Sequence, residues 1–444
     1  MSKDQTEPEK TPAVPAKKER VLSLDVLRGF DLFVLLCIGP LATALFNGPF
    51  KKAIADSPFW TSVSLQFRHV KWEGFVTWDL IMPLFLFMVG VAIPFSLAKY
   101  VSDGRPTERL YLRIFRRVLL LWIFGMIVQG HFLDLKIQGL DLYSNTLQAI
   151  AAGYLFASIF YLTMKVRWQI VAFVVLLLGY WGLMTFVKVG EFGGGSFLPE
   201  TNLAEWIDQK VLGSWRDGVS FAKDGTWTFS ASYHYTWILS SLTFTATVLS
   251  GVFAGELIRK AHSPKVKATQ QAAELADMPA KLIRSNTAPV SAGTPTPKVS
   301  SGGKPIVFWQ LLSIGFLMTL FGFLWSEIPQ GSFGYCPLIK IIWTPSMVLF
   351  SSGLSFMLLA LFYGVLDVMK LRFGTGFLVV IGMNAITAYT LAHVIKFRQI
   401  AEMVLYGTQQ YLNSWYAPVM NLAGFMILFY ILWLMSRNKC FLRL

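Results

Sequence analysis

The chain has 444 residues, of which 54% are hydrophobic and only 14% are charged. Soluble domains carry about 25% charged residues, so this composition excludes an ordinary soluble enzyme and a disordered chain. The formal net charge of +14 would favour nucleic-acid binding in a soluble protein, but lysine and arginine gather in the cytoplasmic loops of membrane proteins. We therefore expect an all-α polytopic membrane protein that contacts lipids and not nucleic acid.

Ten apolar segments are long enough to cross a bilayer as helices, which takes about 20 residues each. In chain order they lie at about 26–46, 78–98, 110–130, 146–164, 168–188, 236–258, 306–325, 341–365, 376–396 and 418–436. An even number of spans puts both termini on one side of the membrane. Most of the 39 lysine and arginine residues lie in segments that are cytoplasmic if the termini are inside. The pattern thus predicts about ten transmembrane helices, oriented N-in and C-in.

Two polar segments flank and divide these spans. Residues 1–20 contain no apolar run, which predicts a disordered cytoplasmic tail rather than a signal peptide. Residues 261–305 contain no aromatic side chain and cannot bury enough apolar surface to fold, which predicts a disordered cytoplasmic linker. The linker separates a first membrane part of six helices, 21–260, from a second part of four helices, 306–444.

Two outer loops, 47–77 and 189–235, are long and rich in aromatic residues. Aromatic side chains at this depth are typical of a belt at the membrane interface. A flat ring also stacks on the apolar face of a sugar, so a role in sugar binding stays open.

The outer end of the second span carries the first candidates for chemistry. His69 lies in the loop before this span, and Asp79 lies at its start. Histidine is the side chain best suited to move protons near neutral pH. A carboxylate that enters the membrane is costly and therefore has a partner or a function. Simpler interpretations stay open for both residues, namely a loop histidine without a catalytic role and a helix cap.

At the inner face, arginines open two of the spans. Arg28 follows Asp25 in the first span, and Arg113 and Arg116 lie on one face of the third. One interpretation is a local ion pair and a basic anchor on anionic lipid. The other is a cytoplasmic clamp for phosphate, whose oxygens the guanidinium fork matches.

Asn384 is a polar residue within the ninth span. It is either a functional group or a residue that hydrogen-bonds between helices. The sequence has no glycine-rich phosphate loop and no spacing typical of metal ligands, so we expect no metal.

Several of these residues lie in stretches that resemble a known family. Residues 24–29 (LDVLRG) resemble the opening of the transmembrane acyltransferase superfamily. Residues 69–90 (HVKWEGFVTWDLIMPLFLFMVG) are similar to the heparan-α-glucosaminide N-acetyltransferase family. Shorter similarities follow in the family's order at 147–148, 343–350 and 382–385. The resemblance thus extends over nearly the whole membrane part.

The resemblance implies a membrane acyltransferase that moves acetyl from cytosolic acetyl-CoA, a co-substrate, to an extracytoplasmic sugar or glycan. His69 matches the family's essential histidine, and Asp79 and Asn384 match its aspartate and asparagine. His69 would act either as general base, which we favour, or as a nucleophile that carries acetyl. Asp79 is expected to orient the imidazole, and Asn384 is expected to bind the developing oxyanion.

On the inner face, the wider superfamily has an Arg-x-x-Arg that contacts CoA, and Arg113 and Arg116 fit this pattern. Arg28 is expected beside them at the phosphates. The sequence departs from the superfamily at Gly39, where a histidine is frequent, and at 233–237, where the family has an acidic stretch. These departures leave the acceptor open, and with it the choice between N- and O-transfer.

A sugar transporter or permease is the alternative function. Ten spans, helix breaks at Pro40 and Pro345 and polar groups inside the membrane also suit transport. A structural or lipid-flipping protein without chemistry is a third interpretation. The chain has no N-glycosylation sequon, so we expect a bacterial inner membrane rather than a lysosome. A homodimer is left open.

Overall fold

The structure is a computed structural model that describes residues 21–102, 108–130, 140–222, 224–262 and 304–442. The predicted tail and almost all of the predicted linker lie outside the described residues. The structure is 73% helical with almost no sheet, which confirms the predicted all-α membrane fold.

The first membrane part contains ten described helices. They are α1 (Leu22–Phe33), α2 (Gly39–Asn47), α3 (Lys51–Asp56), α4 (Pro58–Leu65), α5 (Ile81–Ser102), α6 (Glu108–Gln129), α7 (Thr146–Thr163), α8 (Val166–Phe186), α9 (Leu203–Leu212) and α10 (Ser240–Ala261). A 3₁₀ turn, Thr77–Leu80, leads into α5. The outer loop after α8 contains two short antiparallel hairpins. Their strands are β1 (Lys188–Val189) with β2 (Phe192–Gly193), and β3 (Val219–Phe221) with β4 (Trp227–Phe229).

The second membrane part contains seven described helices. They are α11 (Pro305–Ser326), α12 (Pro345–Tyr363), α13 (Thr375–Met383), α14 (Ala385–Val394), α15 (Phe397–Val404), α16 (Gln409–Leu412) and α17 (Tyr416–Arg437). The short helices α15 and α16 precede α17 at the same end of the bundle as the loop that carries His69.

Eight segments of the described chain are helical, long and apolar enough to cross a membrane. They are Leu22–Asn47, Thr77–Val101, Thr146–Thr163, Val166–Phe186, Ser240–Ala261, Pro305–Ser326, Pro345–Val368 and Tyr406–Arg437. The bent pair α13 and α14 counts as a ninth. Helix α6 has the same length as α5 but carries charges such as Arg113, Arg116 and Arg117, and it falls outside this set. Each of the ten predicted apolar segments is thus helical.

The two prolines that predicted broken helices behave differently. In a regular helix a proline ring clashes with the carbonyl four residues earlier. The wider π-helical turn Val34–Ile38 comes just before Pro40 and lets the chain continue from α1 into α2. Pro345 is the first residue of α12, a position that suits proline. The eighth helix therefore begins at 345, and the break predicted within 341–365 is wrong.

The ninth predicted span is not one helix. Its two halves, α13 and α14, meet at Asn384 with a bend of 76°. The backbone of Asn384 leaves the helical region, at φ −112° and ψ 28°, and its N–H donates to Ile381 three residues back. Helix α13 lies directly against α1, since a Cβ on Gly382 would be 2.0 Å from the carbonyl oxygen of Asp25.

In the core, glycines lie at the contacts between helices and allow their backbones to approach closely. A Cβ on Gly90 of α5 would lie 1.9 Å from the carbonyl oxygen of Val248 in α10, and one on Gly251 would lie 2.0 Å from that of Phe87. Small residues allow such close backbone approach in membrane helices. The first and second membrane parts also touch, as between the hydroxyls of Ser250 and Ser352, 3.1 Å apart.

Candidate functional site

His69 and Asp79 lie together at the predicted outer end of the bundle. The His69 Nδ1 atom is 2.7 Å from Asp79 Oδ1, and the Val70 N–H donates to Asp79 Oδ2 at 3.4 Å. The 3₁₀ turn Thr77–Leu80 sets Asp79 at the start of α5. Asp79 is 2% exposed, whereas the side chain of His69 is 50% exposed. The pair thus combines an accessible imidazole with a buried carboxylate that orients it.

A third charged side chain reaches this pair from the second membrane part. Lys340 Nζ lies 3.1 Å from Asp79 Oδ1 and 3.1 Å from His69 Nδ1. Burial lowers the pKa of Lys340, and the Asp79 carboxylate opposes that shift. The sequence prediction missed Lys340. The available signal was a lone charge at the edge of the apolar segment 341–365, the same signal that singled out Asp79.

The imidazole borders a cavity of about 290 Å³, here called the outer cavity. Besides His69 and Lys340, its lining includes Trp78, Asp217, Tyr233, Tyr235, Trp237 and His393. Aromatic rings beside a few polar groups suit a small ligand with both apolar and hydrogen-bonding faces. Within the described ranges, no group of three or more His, Cys, Asp or Glu side chains is arranged to hold a metal ion.

Buried polar contacts hold the wall of the outer cavity at 233–237. The Asp208 carboxylate accepts hydrogen bonds from the N–H groups of Trp237 at 2.7 Å and Ile238 at 2.9 Å. Burial raises the pKa of Asp208 to about 7. Nearby, the fully buried Arg216 pairs with Glu205 at 2.6 Å. Aromatic residues of this loop therefore line a cavity. A belt at the membrane interface does not by itself account for that position.

A second cavity, here called the inner cavity, has a volume of about 310 Å³ and contains Arg28 and Arg117 in its lining. Phe85, Thr146 and Tyr389 line both cavities. The two cavities therefore adjoin, with the arginines at one end and His69 at the other.

The predicted arginines do not all reach the inner cavity. Arg28 lines it, but Arg113 and Arg116 are exposed and are not among its lining residues in the described chain. Arg113 instead donates to the hydroxyl of Tyr100 at 3.0 Å. Of the three arginines predicted to bind the phosphates, only Arg28 therefore lines the inner cavity in the described chain, and Arg113 and Arg116 lie on the outward face of α6.

Arg117, one residue after Arg116, lines the inner cavity together with Arg28. Its guanidinium carbon lies 4.3 Å from the centre of the Tyr154 ring, and the side chain is partly buried. The sequence contained the signal: residues three or four positions apart share a helix face. Arg117 follows Ile114 by three and precedes Leu121 by four, and both of these are buried.

Asn384 is not brought next to His69 and Asp79. Its side-chain N–H donates to the carbonyl of Val380 at 3.1 Å, and the residue is 2% exposed. Its neighbours Met383 and Ala385 line the inner cavity, whereas Asn384 is absent from the lining of both cavities in the described chain. Asn384 therefore borders neither cavity through its own side chain in the described chain, and its role in binding an oxyanion stays a prediction.

The comparisons with known proteins point to no activity. Residues 20–199 match the sequence model of a family described as a domain of unknown function (DUF5009). The matched range contains His69, Asp79, Arg28 and Arg117, but it ends before Lys340. Among curated proteins, no sequence matches this chain.

Proposed function

We propose that this protein is a membrane acyltransferase that moves acetyl from cytosolic acetyl-CoA to an extracytoplasmic sugar or glycan. The observation that carries the proposal is the pair of adjoining cavities, with two arginines in one and the His69–Asp79 pair in the other. A nucleotide with several charges does not cross an apolar core about 30 Å thick. Such an enzyme needs a passage for the thin, uncharged acyl arm, and two adjoining cavities fit that need.

The inner cavity suits the phosphates of the donor. Arg28 and Arg117 place two positive charges in one partly buried space, and the Asp25 carboxylate offsets part of the charge on Arg28. In the described chain, Arg117 Nε is buried and has no hydrogen-bond partner. A phosphate oxygen would satisfy that donor through a charge-assisted hydrogen bond.

The outer cavity suits proton transfer. In the tautomer of His69 that carries its proton on Nδ1, Asp79 accepts that hydrogen bond and Nε2 is free to act as a base. In the proposed reaction, Nε2 takes the proton of the acceptor amine or hydroxyl while that group attacks the thioester carbonyl. The C–S bond then breaks, and the CoA thiolate takes the proton from the imidazolium. The products are the acetylated sugar and CoA with a free thiol.

Arg28→Ala and Arg117→Ala are each expected to weaken acetyl-CoA binding by about 10- to 100-fold, because a hydrogen bond to a charged group contributes about 1.5–3 kcal/mol. Isothermal titration calorimetry on the purified protein measures the Kd. Arg113→Ala and Arg116→Ala are matched controls on the same helix. Because both side chains are exposed, these controls are expected to change the Kd by about twofold or less. The opposite ranking would return the phosphate site to the exposed arginines.

The bend between α13 and α14 favours a second candidate function, transport of a sugar-like solute, because discontinuous helices form solute sites in transporters. One assay distinguishes the two functions. Purified protein is given radiolabelled acetyl-CoA with glucosamine or an oligosaccharide, and products are separated by chromatography. We expect labelled acetyl on the sugar. Counterflow of labelled sugar in proteoliposomes without an acetyl donor, with no acetylated product, would instead support the transporter.

The multi-pass membrane location follows from the eight or nine apolar helices found among the described residues. The bacterial inner membrane is part of the proposal, and the absence of an N-glycosylation sequon from the sequence supports it. The cytoplasmic side would then hold the inner cavity and the donor.

A further inference from the structure

Lys340 leaves the backbone from a turn that is firmly held. The Lys340 carbonyl accepts from the Trp343 N–H at 3.0 Å, and the Thr344 hydroxyl accepts from the Ile339 N–H at 3.1 Å. Trp343 has a φ of 53°, a left-handed conformation that is rare for a bulky residue. Its indole N–H donates to Thr247 of α10 at 3.0 Å. These contacts hold the backbone at Lys340, and its side chain extends from there to the His69–Asp79 pair.

The positions of the three side chains restrict where the protons can lie. The distances are 2.7 Å from His69 Nδ1 to Asp79 Oδ1 and 3.1 Å from Lys340 Nζ to each of these atoms. A ring nitrogen cannot donate to Asp79 and accept from Lys340 at the same time. One arrangement in which Asp79 accepts from both neighbours has an ionised carboxylate, a lysine ammonium and a neutral imidazole with its proton on Nδ1. The lone pair then lies on Nε2, the atom that the proposed reaction uses.

We propose that Lys340 is a positioning residue that keeps Asp79 ionised and keeps the imidazole of His69 neutral between turnovers. This inference rests on the proposed function for its meaning in catalysis. A positive charge 3.1 Å from Nδ1 repels a proton added at Nε2, whereas Asp79 alone would favour the imidazolium.

Other titratable groups also face the imidazole, at greater distance. Across the outer cavity they are Asp217, Tyr233, Tyr235 and His393. Arg68, Lys71 and Glu73 are neighbours of His69 in the sequence. Among the described residues, only Asp79 and Lys340 lie within hydrogen-bond distance of the His69 ring nitrogens. Removal of Lys340 therefore changes the charge around the ring more than removal of any of these groups.

The inference is tested by labelling His69 with diethyl pyrocarbonate, which reacts with neutral imidazole. The full-length protein in detergent is labelled over a pH series, and mass spectrometry measures the modified fraction at His69. We expect Lys340→Met to move the midpoint of labelling about one unit or more toward higher pH. Lys340→Arg retains the charge and is expected to retain the midpoint. An unchanged midpoint in Lys340→Met would overturn the inference.

Two further variants serve as a control and as a substitute in this test. Lys210→Met changes an exposed lysine of α9 and is expected to leave the midpoint unchanged. If Lys340→Met does not fold, as judged by tryptophan fluorescence and size exclusion, Lys340→Gln is labelled in its place with the same expected shift.

Acetyl transfer by the same samples separates the role of Lys340 from the proposed function. We expect the acid limb of the pH–rate profile to move with the labelling midpoint, kcat to fall by about 100-fold and acetyl-CoA affinity to stay unchanged. If Lys340→Met shifts the labelling midpoint but the wild-type protein transfers no acetyl, the Lys340 inference is retained and the proposed function is overturned. If the wild-type protein transfers acetyl but Lys340→Met leaves the labelling midpoint unchanged, the proposed function is retained and the Lys340 inference is overturned.

Discussion

His69→Ala is expected to lower kcat for acetyl transfer by roughly 10²- to 10⁴-fold, the usual contribution of a positioned general base. The variant lacks the imidazole, which among the described residues is the only ring whose nitrogen contacts Asp79. Acetyl-CoA affinity is expected to persist, because Arg28 and Arg117, the arginines proposed to bind its phosphates, lie in the inner cavity. Initial rates and calorimetric titration on purified protein measure the two quantities separately.

The control for this substitution is His262→Ala. His262 follows α10 at the opposite end of the bundle, where its Nδ1 is 2.8 Å from the Ile258 carbonyl oxygen. It is expected to leave kcat unchanged. Retained transfer in a folded His69→Ala protein would remove His69 from the reaction.

Gly29→Val is expected to prevent α1 from packing against α13. A Cβ at Gly29 would lie 1.9 Å from the backbone carbonyl oxygen of Leu378, so relief requires the helices to separate. Overpacking costs about 1–3 kcal/mol and occasionally more, and contact with backbone puts this site at about 3 kcal/mol. Thermal unfolding in detergent, followed by tryptophan fluorescence, measures the loss. Acetyl-CoA binding should fall as well, because Arg28 is the preceding residue.

The matched control is Gly179→Ala. Gly179 lies inside α8, and a Cβ there would meet nothing within 4 Å. Alanine at such a position is expected to stabilise the helix by about 0.5–1 kcal/mol. If Gly29→Val and Gly179→Ala have equal stability, α1 and α13 are not in the contact described above.

The sequence was most informative where the membrane itself dictates structure. A bilayer requires helices of a certain apolar length, so the ten segments could be identified from hydropathy alone. The proximity of His69 and Asp79 could also be anticipated, because both flank the start of one span. Lys340 could not be paired with Asp79 in this way, since 261 residues separate them and only tertiary packing joins them.

Two other features depend on helix packing, which the hydropathy pattern and the motif spacing do not reveal. The bend at Asn384 arises where α13 lies against α1, and no proline marks it in the sequence. Arg113 and Arg116 do share one face of α6, as predicted, but that face is turned outward, whereas Arg117 is turned inward. The buried neighbours of Arg117 were the better guide, because burial follows the helix face and not the motif spacing.

The most direct test of transfer across the membrane is a sided assay in sealed proteoliposomes. Radiolabelled acetyl-CoA is supplied only on the face of the inner cavity and glucosamine only on the face of His69, with orientation scored by protection of a C-terminal tag. We predict that acetylated glucosamine forms on the His69 side, and that the Arg117→Ala and His69→Ala proteins each suppress it. Product that forms only when both substrates share one face would contradict a passage through the protein.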